Sequence, residues 1–252
     1  REAERERLQS LLEAWLGERG VVEGCAVCVV GDKGAGKSIL TRAVLNRVQM
    51  NRQFVTNTLV LTVDCRRERT RRAVFTRLAQ EALDALDKLR SNTVEVPREL
   101  LEMCKVLRTL SMMAPSSKLQ SVYEHLDLFK GAAGFKGSVL LATLALDFNI
   151  TLETSRKAQQ TFTGEVTFDD EWMLHAVVAF FKDLLKGGFR VVVYVDNVDE
   201  LRHHDYRDEA ARRLTRSDAE ALLGLKDAPV ALVLNMRTYY VGMLRREIEQ
   251  VR

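Results

Sequence analysis

The chain has 252 residues, of which 46% are hydrophobic and 29% charged, with a net charge of +3. That length suits one large α/β domain or one domain with an insertion, and three prolines argue against long disordered linkers. So small a positive excess names no nucleic-acid partner by itself, and four scattered cysteines build no disulfide framework.

Leu8, Leu11, Leu12, Trp15 and Leu16 recur at helical spacing in a charged background, which predicts an amphipathic first helix ended by Gly17-Glu18-Arg19-Gly20. Cys25 to Val30 follows as a short buried strand. Its Cys25 and Cys28 point to opposite faces and read as small core residues rather than as a metal or redox pair. Next, Gly31-Asp32-Lys33-Gly34-Ala35-Gly36-Lys37-Ser38 fits G-x-x-x-x-G-K-[ST] at every fixed position, and Ile39 to Met50 reads as the helix behind it. Glycines let consecutive N–H groups turn inward around phosphate oxygens, and the helix N-terminus adds the positive end of its dipole. A nucleoside triphosphate is therefore expected on Gly31, Asp32, Lys33, Gly34, Ala35, Gly36, Lys37, Ser38 and Ile39. Lys37 would reach the β- and γ-phosphates, and the Ser38 hydroxyl would ligate Mg²⁺.

Thr58 to Val63 is an almost continuous apolar run, as in a strand covered on both faces, and Asp64-Cys65 closes it. The arginine-rich stretch Arg66 to Arg72 has the density of a phosphate-contacting patch or of a water-exposed helix start. Helices are expected with Phe75, Leu78, Ala79, Ala82, Leu86 and Leu89 on one face, and over Arg98 to Leu110. Residues 111–168 break the alternating pattern. Phe148, Ile150 and Leu152, then Phe162, Val166 and Phe168, alternate with polar residues, which predicts a β-hairpin insertion turning near Ser155 to Gln160. The uncharged run Gly137 to Leu146 falls far short of the ~20 apolar residues that span a bilayer, and no secretory signal is visible, so a reduced, cytoplasmic setting is expected. Met173, Ala176, Val177, Phe180, Phe181 and Leu184 restore the helical period until Gly187-Gly188 stops it. Val191 to Val195 is a buried strand ending in Asp196, whose carboxylate can hold Mg²⁺ opposite Ser38. A helix from about Asp205 to Leu225 leads to the strand Val230 to Leu234 and then Asn235-Met236-Arg237-Thr238. His203-His204-Asp205 reads as a solvated loop rather than a metal site. Arg212, Arg213 and Arg216 read as a solvated helix face.

At these residues the chain resembles the AAA+ ATPases, most of all their origin-recognition and replication-initiator branch, with the STAND signalling NTPases as near relatives. The resemblance is carried by Arg1-Glu2, the phosphate loop, the turn Val63-Asp64-Cys65-Arg66, and Asp196-Asn197-Val198-Asp199-Glu200-Leu201, which is similar to that branch's D-E-x-D-x-L signature. It covers residues 1–110 and 170–245. It implies a three-layer sandwich around a parallel sheet of the additional-strand type, with the strand at 230–235 between those at 25–30 and 191–195. It also implies ATP as the triphosphate, a polar sensor at Asn235, an arginine near the γ-phosphate at Arg237, and a catalytic set of Asp196, Asp199, Glu200, Asn235 and Arg237. Where such proteins carry the glutamate that polarises water, this chain has Asn197. An amide can orient a water but cannot accept its proton, which leaves Asp199 or Glu200 as substitutes, or else a slow nucleotide switch holding ATP or ADP. A small-molecule kinase is poorly supported, because nothing between the two motifs looks like an acceptor site. The partners implied are copies of the chain or further domains of a longer one, with nucleic acid as a candidate and no membrane. The start at Arg1 rather than Met, and the missing fifth strand and helical lid, suggest a piece of a longer protein whose lid and effector domains lie beyond residue 252.

Overall fold

A computed structural model describes residues 2–18, 23–51, 53–68, 70–92, 94–112, 116–118, 138–148, 165–167, 170–201 and 221–241. The chain divides into two compact units, residues 1–74 with 189–252, and residues 75–188.

The first unit is built on four parallel strands, β1 (Cys25–Val30), β2 (Thr58–Asp64), β5 (Arg190–Asp196) and β6 (Val230–Met236). Their spatial order is β1-β6-β5-β2. The strand at 230–236 thus lies between the phosphate-loop strand and the one ending in Asp196, as the resemblance implied. β5 and β6 are central, and Val191 to Val195 and Val230 to Leu234 are buried on both faces. That explains their unbroken apolar runs, since a parallel strand covered on both sides has no polar face to show. β1 departs from the expected buried strand: it is an edge strand, and Ala26 and Val30 are exposed. Cys25 and Cys28 are half-buried free thiols, and burial pushes the Cys28 thiol up to about 11, so it stays protonated at neutral pH. Among the described residues no cluster of His, Cys, Asp and Glu could by itself hold a metal ion.

Helices α1 (Glu2–Gly17) and α2 (Lys37–Met50) cover one face of this sheet. Leu8, Leu12, Trp15 and Leu16 of α1 join Val44, Leu45 and Val48 of α2 in a core with Val192, Tyr194, Ala231 and Val233. The end of α1 is pinned by polar contacts. Trp15 Nε1 donates to the Glu23 carbonyl at 2.9 Å, and the Arg190 guanidinium lies 5.5 Å over the Trp15 ring while its Nη1 donates to the Trp15 carbonyl at 3.1 Å.

The second unit holds most of α3 (Arg71–Ser91), then α4 (Arg98–Met112), α5 (Val139–Phe148) and α6 (Asp170–Lys186). Its antiparallel pair differs from the expected hairpin. β4 (Glu165–Thr167) pairs with β3 (Ser116–Lys118), whereas Phe148 ends a helix. The first strand is thus drawn from far upstream, and Ile150, Leu152, Ser155 to Gln160, Phe162 and Phe168 lie outside the described residues. A buried carboxylate anchors α5: Asp183 of α6 accepts from Ser138 Oγ at 2.7 Å, Val139 N at 2.6 Å and Leu140 N at 2.9 Å. Asp183 thereby caps from outside the first N–H groups of a helix with little polar side chain of its own. Among the described residues no helix is long and apolar enough to cross a membrane.

Candidate functional site

In a parallel sheet the carboxyl ends of the strands face the same way, and the crevice beyond them is where ligands bind. Register aligns those ends here: Val30 pairs with Met236, Val195 with Leu234, and Asp64 with Asp196. The loops after β1, β6, β5 and β2 therefore converge, and each of them carries polar side chains.

The loop after β1 has the conformation its glycines permit. Gly34 and Gly36 sit at φ 81° and 76°, in the left-handed region where a Cβ is penalised. α2 begins at Lys37, so the strand, loop and helix predicted from the motif are present. Lys37 Nζ donates to the carbonyls of Gly31 at 2.7 Å and Asp32 at 2.9 Å. The ammonium thus lies back over its own loop, above backbone that would face phosphate oxygens. Lys33 is exposed, as is Ile39 in the first turn of the helix.

Asp196 ends β5, only 1% exposed, and is ringed by donors. Its Oδ1 accepts from Ser38 Oγ at 2.8 Å, Asn197 N at 3.0 Å and Asn235 Nδ2 at 3.3 Å, and its Oδ2 from Arg42 Nη2 at 3.3 Å. The Ser38 contact joins residues 158 apart in sequence. Asn235, buried at the end of β6, also donates to the Tyr194 hydroxyl at 2.8 Å and accepts from Thr41 Oγ1 at 3.1 Å. Burial and the nearby Asp196 charge push the Tyr194 phenol above its ordinary value, so it stays neutral. The donor set suits Mg²⁺: Ser38 and Asp196 offer two hard oxygens side by side, and this ion takes one or two protein oxygens and leaves the rest to water and phosphate.

The expected catalytic carboxylates after β5 are already engaged. They lie on a single 3₁₀ turn, Val198–Glu200, where Arg237 Nε meets Asp199 Oδ2 at 2.7 Å and Arg237 Nη2 meets Glu200 Oε1 at 2.9 Å. The next residue, Thr238, donates to Asp32 Oδ1 of the phosphate loop at 3.1 Å. The structure therefore brings Ser38, Asp196 and Asn235 into direct contact, and gathers Asp199, Glu200 and Arg237 into a cluster of their own. His203, His204, Asp205, Arg212, Arg213 and Arg216 lie outside the described residues.

The residues that sequence reasoning gave no catalytic part are Arg42, Asp64 and Arg66. Asp64 Oδ1 accepts from Asn197 Nδ2 at 2.9 Å, and Arg66 Nη2 donates to Asp64 Oδ2 at 2.9 Å. Burial alone would raise the Asp64 carboxyl, but hydrogen bonds from the Arg66 side chain and backbone and from Asn197, with the Arg66 charge, hold it at about 2. One signal pointed to it. β2 and β5 are both apolar runs ending in Asp, and parallel pairing of such runs sets their last residues side by side. Arg66 is committed to this pair, which takes it out of a phosphate-contacting patch at 66–72, one of the two readings of that stretch.

A family model described as AAA ATPase domain matches residues 1–233. None of the curated proteins compared with the chain matches it. With a phosphate loop on the first strand, an aspartate on a strand two places away, and this match over most of its length, the chain belongs to the AAA ATPase domain family.

Proposed function

We propose that this chain is a Mg·ATP-hydrolysing module that couples γ-phosphate loss to a change in assembly or conformation of a larger protein. The observation that carries the reading is the 2.8 Å bond from Ser38 Oγ to Asp196 Oδ1, which puts the two oxygens of the expected metal site together. In this reading Lys37 leaves the carbonyls of Gly31 and Asp32 for the β- and γ-phosphates, while the backbone from Gly31 to Ile39 wraps the phosphates. Ser38 and Asp196 hold Mg²⁺, which when bound neutralises charge on the phosphate oxygens. Asn235 keeps Asp196 oriented, and Arg237 is a second cation, after Lys37, for the γ-phosphate once it leaves Asp199 and Glu200. Asp199 and Glu200 set the position of Arg237 and can act on water only once it has moved.

A second reading is a nucleotide switch of the STAND type with negligible turnover. It is favoured by Asn197 in the place of the usual glutamate and by the engagement of both following carboxylates with Arg237. Relationship to the origin-recognition branch rests on the motifs at 63–66 and 196–201, and homo-oligomerisation on what that branch implies. DNA as the object acted upon has weaker support, because the Arg66 guanidinium is spent on Asp64.

Calorimetry with Mg·ATP and single-turnover hydrolysis test the proposal. Lys37→Ala is expected to weaken ATP binding at least tenfold, by removing a charge-assisted contact worth about 1.5–3 kcal/mol. Asp196→Ala is expected to make binding insensitive to Mg²⁺ and to abolish turnover. Equal ATP affinity for wild type and Lys37→Ala would rule out the loop as the nucleotide site.

A further inference from the structure

We propose that Asp64 is a positioning residue for the attacking water: it turns the Asn197 amide so that the amide oxygen holds that water. The inference rests on the hydrolysis reading above. It answers which group replaces the glutamate that this chain lacks.

The geometry is set by the sheet. Asp64 and Asp196 are register partners at the ends of neighbouring strands, so the residue after Asp196 meets the side chain of Asp64. Asn197 Nδ2 and Asp64 Oδ1 are 2.9 Å apart. An ionised carboxylate can only accept, so the end of the amide that faces it is the NH₂. That choice removes the usual two-fold ambiguity of an amide and leaves Asn197 Oδ1 as a free-standing acceptor. The carboxylate itself is gripped. Arg66 donates to it from Nη2 at 2.9 Å, from Nε at 3.2 Å and from its backbone N at 3.0 Å.

Asn197 is held at its other end as well. Its backbone sits at φ 55°, ψ 46°, and its N–H donates to Asp196 Oδ1 at 3.0 Å, the oxygen that also receives Ser38. It is the one non-glycine residue with positive φ among those described, and asparagine tolerates that region better than glutamate. Strain of this kind survives where its surroundings over-determine it, and bonds at both ends of Asn197 do so. Asp199 and Glu200 do not compete for the place, because Arg237 holds them both.

An amide suits the chemistry if the need is placement. The new bond forms from the water oxygen to the γ-phosphorus as the bond to the leaving diphosphate oxygen breaks. The water proton passes to a phosphoryl oxygen, since an amide can receive an O–H hydrogen bond but not take its proton. In a loose phosphoryl-transfer transition state, positioning contributes more than proton abstraction.

The test is single-turnover hydrolysis beside ATP calorimetry on wild type, Asp64→Asn, Asp64→Glu and the exchange Asp64→Asn with Asn197→Asp. Asp64→Asn is expected to slow turnover tenfold or more with ATP affinity unchanged within about twofold. Asp64→Glu keeps the charge, moves the carboxylate by one methylene, and is expected to show the same loss in a folded chain. The exchange restores a carboxylate–amide bond with its ends reversed and is expected to recover most of the rate; the loss of rate in Asp64→Asn with ATP affinity held is the readout that a merely structural role for Asp64 would not give. Wild-type turnover in both single variants would overturn the assignment alone. ATP binding by wild type with no turnover in any assembly state would overturn both it and the hydrolysis reading, and leave nucleotide binding standing.

Discussion

Asp64 titrates below its ordinary value because its charged form collects hydrogen bonds from Arg66 and Asn197, and that linkage has a sign. Its carboxyl sits at about 2 in the folded chain against an ordinary 3.8, so the native state favours the ionised form. The stabilisation is therefore complete above about pH 4 and is lost as pH falls toward 2. Its partner Arg66 is exposed, so the gain is held to about 1 kcal/mol or less by solvent screening. Urea midpoints of wild type and Asp64→Asn should differ by a constant amount from pH 7 to 4 and converge below that. A difference that persists unchanged at pH 2.5 would mean that the carboxylate charge is not what Arg66 and Asn197 stabilise. The residue scale is also where the sequence was least legible. Ser38, Asp196 and Asn235 could be named as site residues from motif and strand ends, but a side-chain network such as Arg66–Asp64–Asn197 depends on register between strands far apart in the chain. Sequence alone leaves Asp199 or Glu200 as the water-directing carboxylate, or else a slow switch, because nothing in it shows that Arg237, after the next strand, reaches both.

Among the elements, β1 and the chain leading into it depend on one close approach. At Gly24 an added Cβ would lie 1.9 Å from the Lys226 carbonyl oxygen and 2.2 Å from that of Ala228, both backbone atoms. The segment before β1 thus abuts the turn that leads into β6, its sheet neighbour, with no room for a side chain. Gly24→Ala has no flexible group to displace and must shift β1 or that turn, so a destabilisation of at least 1–3 kcal/mol, the usual cost of overpacking, is expected. For a chain of this size that is a fall of about 2–12 °C in melting temperature, which differential scanning calorimetry resolves. An unchanged midpoint would mean that the two segments part at no cost. Elements were the most legible scale. The helices at 2–17, 37–50, 71–91, 98–112 and 170–186 and the four parallel strands all follow from apolar period and from turn residues, because each buries a face whose spacing is local information. The partner of β4 was not legible. Pairing with Ser116–Lys118 is a non-local choice made by three-residue strands that carry almost no pattern of their own.

At the scale of the molecule, the polar network at the strand ends is drawn entirely from the unit formed by residues 1–74 and 189–252. That unit is discontinuous in sequence, and Ser38 and Asp196 meet only when β1, β6 and β5 are paired in order. An unfolded chain has no such site, so a ligand held there binds the native state alone and stabilises it by mass action. At a hundredfold excess of Mg·ATP over its dissociation constant the gain is about 2.7 kcal/mol. With about 2–4 °C per kcal/mol for a chain of this length, the melting transition of that unit should rise by about 5–10 °C. Lys37→Ala should lose about half of the shift or more at the same ATP concentration, and replacing Mg²⁺ by a chelator should reduce it in wild type, because Ser38 and Asp196 then hold no shared ion. Asp183→Ala, which removes the carboxylate that accepts from Val139 N and Leu140 N at the start of α5 in the other unit, should lower stability yet leave the ATP-induced shift in place. A thermal shift of equal size in wild type and Lys37→Ala would show that ATP stabilises the chain from somewhere other than the loop at 31–38, whatever the rate of hydrolysis.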